Sequence, residues 1–324
     1  MEKEQKTIKP KLVFMGTPEF GAIILEKLIE NDYRPALVIT NPDKPVGRKK
    51  IITPPPVKLI SQKYNIPLVQ PDKFSAAKQQ IQDLNPDLII VSAFGHILPK
   101  EVLKIPRYGC LNVHPSLLPR WRGASPIQFT ILDGDEEAGV TIILMDEEMD
   151  HGPIISNMRY EISNIRIRYK ELERDLARLG AELLIRVIPD WVKGEIKPQP
   201  QDEAAVTFTK VLKKEDGKIN WGKSAQELEK QVRAFDPWPG NYCYLQKDSG
   251  KTMIKVLDAE VLEQKSHGPF GVEGKTFLAP NNKIAVQAGK DFLIITKLQL
   301  EGRKPTTSED FLKGNLGLIG QVLE

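Results

Sequence analysis

Residues 11–30 read KLVFMGTPEFGAIILEKLIE. Lys11 to Met15 is an apolar run of strand length, Phe20 to Glu30 carries apolar residues at helical spacing, and Gly16 and Gly21 flank the turn between them. A strand that turns directly into a helix is half of a strand–helix–strand unit, and the pattern continues downstream. Further strands are predicted at Ala36 to Thr40, Leu68 to Gln70, Asp87 to Ala93, Cys110 to Val113 and Val140 to Leu144. Helices are predicted at Val57 to Tyr64, Ala76 to Leu84, Pro126 to Leu132 and Tyr169 to Val192. The alternation predicts an α/β fold with a Rossmann-like, doubly wound, mostly parallel sheet, whose function sits at the carboxyl ends of its strands.

The opening turn excludes two common ligands of such a sheet. A dinucleotide fingerprint needs glycine at its middle position, which Pro18 occupies, and a P-loop needs Lys and a hydroxyl residue where Ala22 and Ile23 follow Gly21. A tight turn opening a helix explains these residues.

A chain of 324 residues exceeds the size at which one core keeps growing, so two domains are expected. Residues 194–207, GEIKPQPQDEAAVT, read as a polar, semi-extended linker. The expected division is a catalytic domain at 1–193, a linker at 194–206 and a second domain at 207–324. In the latter, SAQELEKQVRAF has a helical pattern, and TMIKVLDAEVL, KIAVQAG and DFLIITKLQL are strand-like runs, which predicts a small β-barrel or sandwich.

Composition is that of an ordinary globular protein, 40% hydrophobic and 27% charged. No run approaches the ~20 apolar residues of a membrane span, and MEKEQKTIKPK lacks an apolar signal core, so a cytoplasmic protein without membrane contact is expected. The net charge of +3 does not demand a polyanion partner, although a local basic patch can serve one. Cys110 and Cys243 form no C-x-x-C pair and read as buried small hydrophobes. His96, His114, His151 and His267 offer no zinc spacing, so no metal is expected, and Ser116 lacks the turn of a hydrolase nucleophile.

Chemistry concentrates in residues 111–128, LNVHPSLLPRWRGASPIQ. Asn112 and His114 stand two apart at a strand end, so alternation puts both side chains on one side, where an amide and an imidazole can converge on one oxygen. Pro115 and Pro119 stiffen the chain as it leaves the sheet. Asp150 follows the next strand in MDEEMDHG, and parallel pairing would bring it to the same edge. Spacing alone leaves His114 open between a structural hydrogen bond and catalysis, and Asp150 open between a turn and a catalytic carboxylate.

NVHPSLLPRWRGASPIQ, together with MDEEMDHGPI, closely resembles the signature of the folate-dependent formyltransferases. FMGTPEFG, TNPDKPVGRKK, VSAFGHILP and RAFDPWPG extend the likeness over nearly the whole chain and narrow it to members that act on methionyl-tRNA. The resemblance implies catalytic residues at Asn112, His114 and Asp150, and a folate-lining segment at Ser116, Leu117, Leu118 and Pro119. It implies a tRNA-contacting basic loop at Arg48, Lys49 and Lys50, and an OB-like barrel in the second domain. The expected donor is 10-formyltetrahydrofolate, a cosubstrate, and the expected acceptor is the α-amino group of methionine on initiator methionyl-tRNA. A monomer is expected.

The residue types suit that chemistry. Attack of an amine on the formyl carbon creates a tetrahedral intermediate with an oxyanion, to which Asn112 and His114 would donate, and losing one such donor costs ~3–4 kcal/mol of barrier. Asp150 would favour the imidazolium and relay the amine's proton. Enzymes of this fold that formylate an amino sugar nucleotide would use the same trio, so the acceptor is argued from the basic loop and the second domain. An inactive RNA-binding scaffold would have no need of all three residues. Two departures from the family stand out: His151 sits directly after Asp150, and SNIRIRYKEL has Ile167 and Arg168 near where an Asp-Thr pair precedes the long helix.

Overall fold

The computed structural model describes residues 9–47, 49–72, 75–247, 250–263 and 271–324. The chain opens with β1 (Leu12–Gly16), α1 (Glu19–Glu30), β2 (Leu37–Ile39), β3 (Lys44–Val46), β4 (Ile51–Thr53), α2 (Pro56–Lys63), β5 (Leu68–Val69) and α3 (Ser75–Leu84). It continues with β6 (Leu88–Ser92), α4 (Lys100–Leu103), β7 (Cys110–His114), β8 (Arg122–Gly123), α5 (Pro126–Asp133), β9 (Glu137–Leu144), β10 (Ile154–Glu161), α6 (Tyr169–Lys193) and β11 (Phe208–Thr209). There follow α7 (Ala225–Ala234), β12 (Asn241–Lys247), β13 (Gly250–Leu262), β14 (Thr276–Ala279), β15 (Lys283–Gln287), β16 (Phe292–Leu300), β17 (Thr306–Thr307) and α8 (Ser308–Leu312). Two compact units result. The first comprises the residues up to Pro126 with 136–163 and 171–210, and the second comprises 127–135, 164–170 and 211–324.

The first unit holds a seven-stranded sheet in the order β10-β9-β7-β6-β1-β2-β5. The five strands from β7 to β5 pair in parallel. Every residue of β1 and β6 is buried, as a parallel strand covered on both faces requires. The chain leaves β1 for β2 and β5 and then returns to β6, so its order reverses between β1 and β6. Gly16 is needed where these strands meet, since a Cβ there would lie 2.7 Å from the Ser92 carbonyl oxygen. Pro18 stands at the N-cap of α1. Among the described residues, no helix is long and apolar enough to cross a membrane.

One expectation is overturned: β9 runs antiparallel to β7, with Leu111 beside Leu144 and His114 beside Thr141. Thr141 Oγ1 donates to the Ser116 carbonyl at 2.7 Å and accepts from Leu118 N at 3.1 Å, so β9 is entered at the edge where β7 ends. A parallel neighbour would need a crossover to the opposite edge, which this stretch does not make. β9 ends beside the start of β7, and Asp150 has to reach the trio from there.

The stretch expected as a linker lies along the first unit. Gln199 pairs with Ile154 through two backbone hydrogen bonds of 2.7 and 2.8 Å, and β11 pairs in parallel with β8.

The second unit is an antiparallel sheet in the order β12-β13-β16-β15-β14, with β17 on β16, and it curls into a half-barrel. Register shifts between Val256 and Ala259 bend β13. Leu228 and Val232 of α7 pack with Ile254, Val256, Ile284, Val286, Leu293 and Leu298 from the sheet. Ser224 and Glu227 cap α7 reciprocally, at 3.2 and 2.9 Å. Burial raises the thiols of both Cys110 and Cys243 to about 12, which makes them inert packing groups.

Residues 166–168 are fastened inside this unit. Arg166 donates to the Ala259 carbonyl at 2.8 Å, and Arg168 donates to Asp258 at 2.8 Å and Asp236 at 3.1 Å. Arg233 donates to the Ile167 carbonyl at 2.8 Å while its Nε meets Glu229 at 2.8 Å, and both members of that ion pair are buried. Arg233→Ala leaves the Glu229 carboxylate only the looser contact with Arg166 Nε at 3.8 Å and is expected to lower stability by ~3 kcal/mol, read by denaturant unfolding followed through tryptophan fluorescence. Replacing both partners, Glu229→Leu with Arg233→Met, should recover most of the loss. An unchanged unfolding midpoint in Arg233→Ala would dismiss the pair.

Candidate active site

The pleat of β7 directs Leu111 and Val113 to one side and Asn112 and His114 to the other. Asn112 Nδ2 donates to Asp150 Oδ1 at 3.1 Å, and His114 Nδ1 lies 3.5 Å from the same oxygen. The amide and the imidazole thus converge on one oxygen, and it belongs to Asp150. The other carboxylate oxygen accepts from Gly123 N at 2.9 Å. His114 is 4% exposed, and its Nε2 stands 3.0 Å from the Trp121 carbonyl oxygen. A carbonyl only accepts, so Nε2 is the donor in that contact, and Nδ1 faces Asp150.

Asp150 reaches this point through a reversal after β9. The chain turns back at Leu144, whose N–H donates to the Pro153 carbonyl at 3.0 Å. Gly152 permits the turn, since a Cβ there would lie 1.9 Å from the Leu144 carbonyl oxygen. Asp150 itself adopts φ 52, a left-handed conformation that Asp tolerates better than most residues.

The four residues expected to line the folate segment come directly after the trio's strand. Ser116 is buried and its Oγ donates to the Arg120 carbonyl at 2.6 Å; Leu118 is buried and precedes a cis peptide bond to Pro119. Leu117 and Pro119 are half-buried. The segment is held by its own backbone bonds, including the Thr141 contacts above.

The basic loop forms the β3–β4 hairpin. Lys49 and Lys50 are exposed at its turn, next to exposed Val46, Ile51 and Ile52, while Arg48 lies outside the described residues, as does His267. Asp43 anchors its base, meeting Lys58 Nζ and Gln70 Nε2 each at 2.8 Å. The Lys58 ammonium, and then the Gln70 amide, hold the Asp43 carboxyl below its usual range. Asn41 accepts from His96 Nε2 at 2.6 Å and donates to the Phe94 carbonyl at 3.2 Å, which joins this loop to the one after β6.

Sequence reasoning did not single out Gln201, Thr207, Trp121 or Arg122. Gln201 Nε2 lies 2.8, 3.0 and 2.8 Å from the carbonyl oxygens of Asp150, His151 and Gly152. Thr207 Oγ1 accepts from Trp121 N at 2.9 Å. A glutamine in a polar linker carries no signal, and the Trp121 contribution is a backbone carbonyl. Arg122 carried one, being a cation inside the stretch that holds the chemistry.

His151 turns its ring to Asp146, with Nδ1 2.6 Å from Oδ2, and Nε2 lies 3.7 Å from Glu203. The hydrogen bond with Asp146 raises the imidazole above its ordinary 6.5. A raised value means the charged pair contributes fully below pH ~6.5 and its contribution fades as pH rises through the elevated value. An NMR titration should place the His151 midpoint above the ordinary one, and Asp146→Asn should return it. An ordinary midpoint in the wild type would overturn this account of the pair.

The formyl transferase family model matches residues 10–188, and the model of the formyl transferase C-terminal domain matches residues 211–316. A methionyl-tRNA formyltransferase of Bacillus velezensis is 41% identical over 316 residues, 97% of each chain. The Bacillus subtilis protein of that name is 38% identical over 317 residues, again 97% of each. Among solved structures, HypX from Aquifex aeolicus in complex with tetrahydrofolic acid aligns with a TM-score of 0.63 at 17% identity, over 96% of this chain and 48% of that one. An N-formyltransferase from Helicobacter canadensis aligns with a TM-score of 0.61 at 19% identity, over 88% and 98%. Those two likenesses concern the fold, whereas the sequence relatives and both domain models concern descent: the chain belongs to the methionyl-tRNA formyltransferase family.

Proposed function

We propose that this enzyme transfers the formyl group of 10-formyltetrahydrofolate to the α-amino group of methionine on initiator methionyl-tRNA, with Asn112, His114 and Asp150 as its catalytic residues. The observation that carries the proposal is the meeting of Asn112 Nδ2 and His114 Nδ1 on Asp150 Oδ1. The folate supplies the formyl group. A bond forms between the amine nitrogen and the formyl carbon, the bond from that carbon to the folate nitrogen breaks, and the amine's proton ends on the departing nitrogen.

Asn112 uses one amide hydrogen on Asp150 and has a second for the formyl oxygen as negative charge develops there. His114 Nδ1, at 3.5 Å, makes only a loose contact with Asp150 and is available to the same oxygen. Asp150 accepts the amine's proton, directly or through water. The segment from Ser116 to Pro119 supplies the folate wall, and the second unit is an OB-like domain. Lys49 and Lys50, with Arg48, contact tRNA phosphate, and the protein acts as a monomer in the cytoplasm.

Transfer of labelled formyl from 10-formyltetrahydrofolate to initiator methionyl-tRNA, glycinamide ribonucleotide and an amino sugar nucleotide, measured in parallel, should label the tRNA alone. Label on the sugar nucleotide would replace the acceptor and leave the trio standing. Asp150→Asn should lower kcat by roughly 10²- to 10⁴-fold, the scale of general acid–base catalysis, and a wild-type rate from pH 6 to 9 would remove Asp150 from the mechanism.

Lys49→Glu with Lys50→Glu should raise KM for methionyl-tRNA while leaving the folate KM unchanged. Affinity for tRNA should fall between about 50 and 200 mM salt in the wild type and fall less in that variant, because each phosphate contact releases counterions. Salt-insensitive binding would rule out the basic turn as a contact.

A further inference from the structure

We propose that Gln201 and Arg122 are positioning residues that set the distance between Asp150 and His114. The inference rests on the reading of Asp150 as catalytic and goes beyond it to what holds that carboxylate in register.

The loop from Met145 to Pro153 leaves β9 at the end remote from His114 and folds back; Leu144 and Pro153 close its base, but Asp150 itself takes no part in the sheet ladder. Three consecutive carbonyls, of Asp150, His151 and Gly152, face the Gln201 Nε2 at 2.8, 3.0 and 2.8 Å. Carbonyl oxygens gathered on one side repel one another, and an amide NH2 set among them offsets that repulsion and fixes the backbone that carries Asp150. The amide cannot be reversed, because its Oε1 accepts from Arg122 Nε at 3.0 Å.

Arg122 closes the frame. It is only 3% exposed, and Glu203 holds its guanidinium with oxygens 2.6 and 3.3 Å from Nη2 and Nη1. On either side of it, the Trp121 carbonyl fixes His114 Nε2 and the Gly123 N–H holds Asp150 Oδ2 at 2.9 Å. The backbone of residues 121–123 therefore touches both His114 and Asp150, while the side chain in its middle reaches the glutamine that grips the Asp150 loop. Thr207 supports the same stretch, accepting from Trp121 N at 2.9 Å through Oγ1 and from Arg122 N at 2.9 Å through its carbonyl. The 3.5 Å gap between His114 Nδ1 and Asp150 Oδ1 is the dimension this ring sets.

Gln201→Glu keeps size and shape but replaces the donor with an oxygen facing three carbonyls, and Gln201→Met removes both polar groups. In the full-length enzyme, with methionyl-tRNA and 10-formyltetrahydrofolate, both should lower kcat roughly 10- to 100-fold, as misplacement by about 1 Å does, with KM for both substrates unchanged. The 15N resonances of the His114 ring should move in both, a signature that a scaffold role confined to residues 194–207 would not give. Where these variants do not fold, Glu203→Gln loosens the Arg122 clamp from a 62% exposed side chain and should also lower kcat and move the His114 signals. Asp150→Asn, assayed alongside, separates the two readings: wild-type kcat there overturns the catalytic assignment and this inference with it. An inactive Asp150→Asn beside wild-type kcat and unmoved His114 signals in the Gln201 variants, or in Glu203→Gln, overturns the positioning role alone.

Discussion

A carboxylate that is 13% exposed has to be satisfied by the protein, and Asp150 is satisfied by Gly123 N and Asn112 Nδ2, with His114 Nδ1 in attendance. The least regular parts of the first unit follow from that requirement. β9 delivers the chain to the far end of β7, so the loop after it has to reverse, and the reversal needs a glycine at 152 and a left-handed residue at 150. The stretch from Trp121 to Gly123 has to lie over the loop, and it is fastened there by pairing with β11 and by Thr207. Segment 199–209 behaves accordingly as part of the first unit's wall.

The charge placement obeys the same logic. A guanidinium as buried as that of Arg122 would be costly alone, but Gln201 and both oxygens of Glu203 take its donors. Glu203 is largely exposed, so its side of the ion pair is screened, and the carboxyl is held low chiefly by the hydrogen bond from Arg122. The value of the arrangement is geometric more than energetic: a rigid planar fork links two backbone segments that the sheet leaves unconnected.

Much of this was legible in the sequence. The parallel strands are unbroken buried runs and the helices carry clean apolar periodicity, so most predicted ends fall close to the observed ones. Strand direction was not legible, because alternation reads the same both ways, and β9 was mistaken for a parallel strand. β10 escaped notice because only Ile155 of its residues is buried, and the β3–β4 hairpin because it is exposed throughout and contains Pro45. Asn112 and His114 announced themselves by standing two apart at a strand end. Asp150 was reached by a parallel pairing that the structure reverses and was given its role by the resemblance, and Gln201 is visible only once the loop is folded over it.

The hydrogen-bond inventory of the trio separates its members on the proposed chemistry. His114 has two ring nitrogens, and the Trp121 carbonyl accepts from one of them. Nδ1 is left to both Asp150 and a substrate oxygen, so whatever strengthens one contact weakens the other. Asn112 has no such conflict, since its amide carries two hydrogens and Asp150 takes one. The amide is thus the constant donor in the proposed chemistry, while the imidazole and carboxylate stand 3.5 Å apart. That gap is too long for a strong hydrogen bond and short enough for electrostatic coupling, which lets the pair respond to substrate instead of locking onto itself.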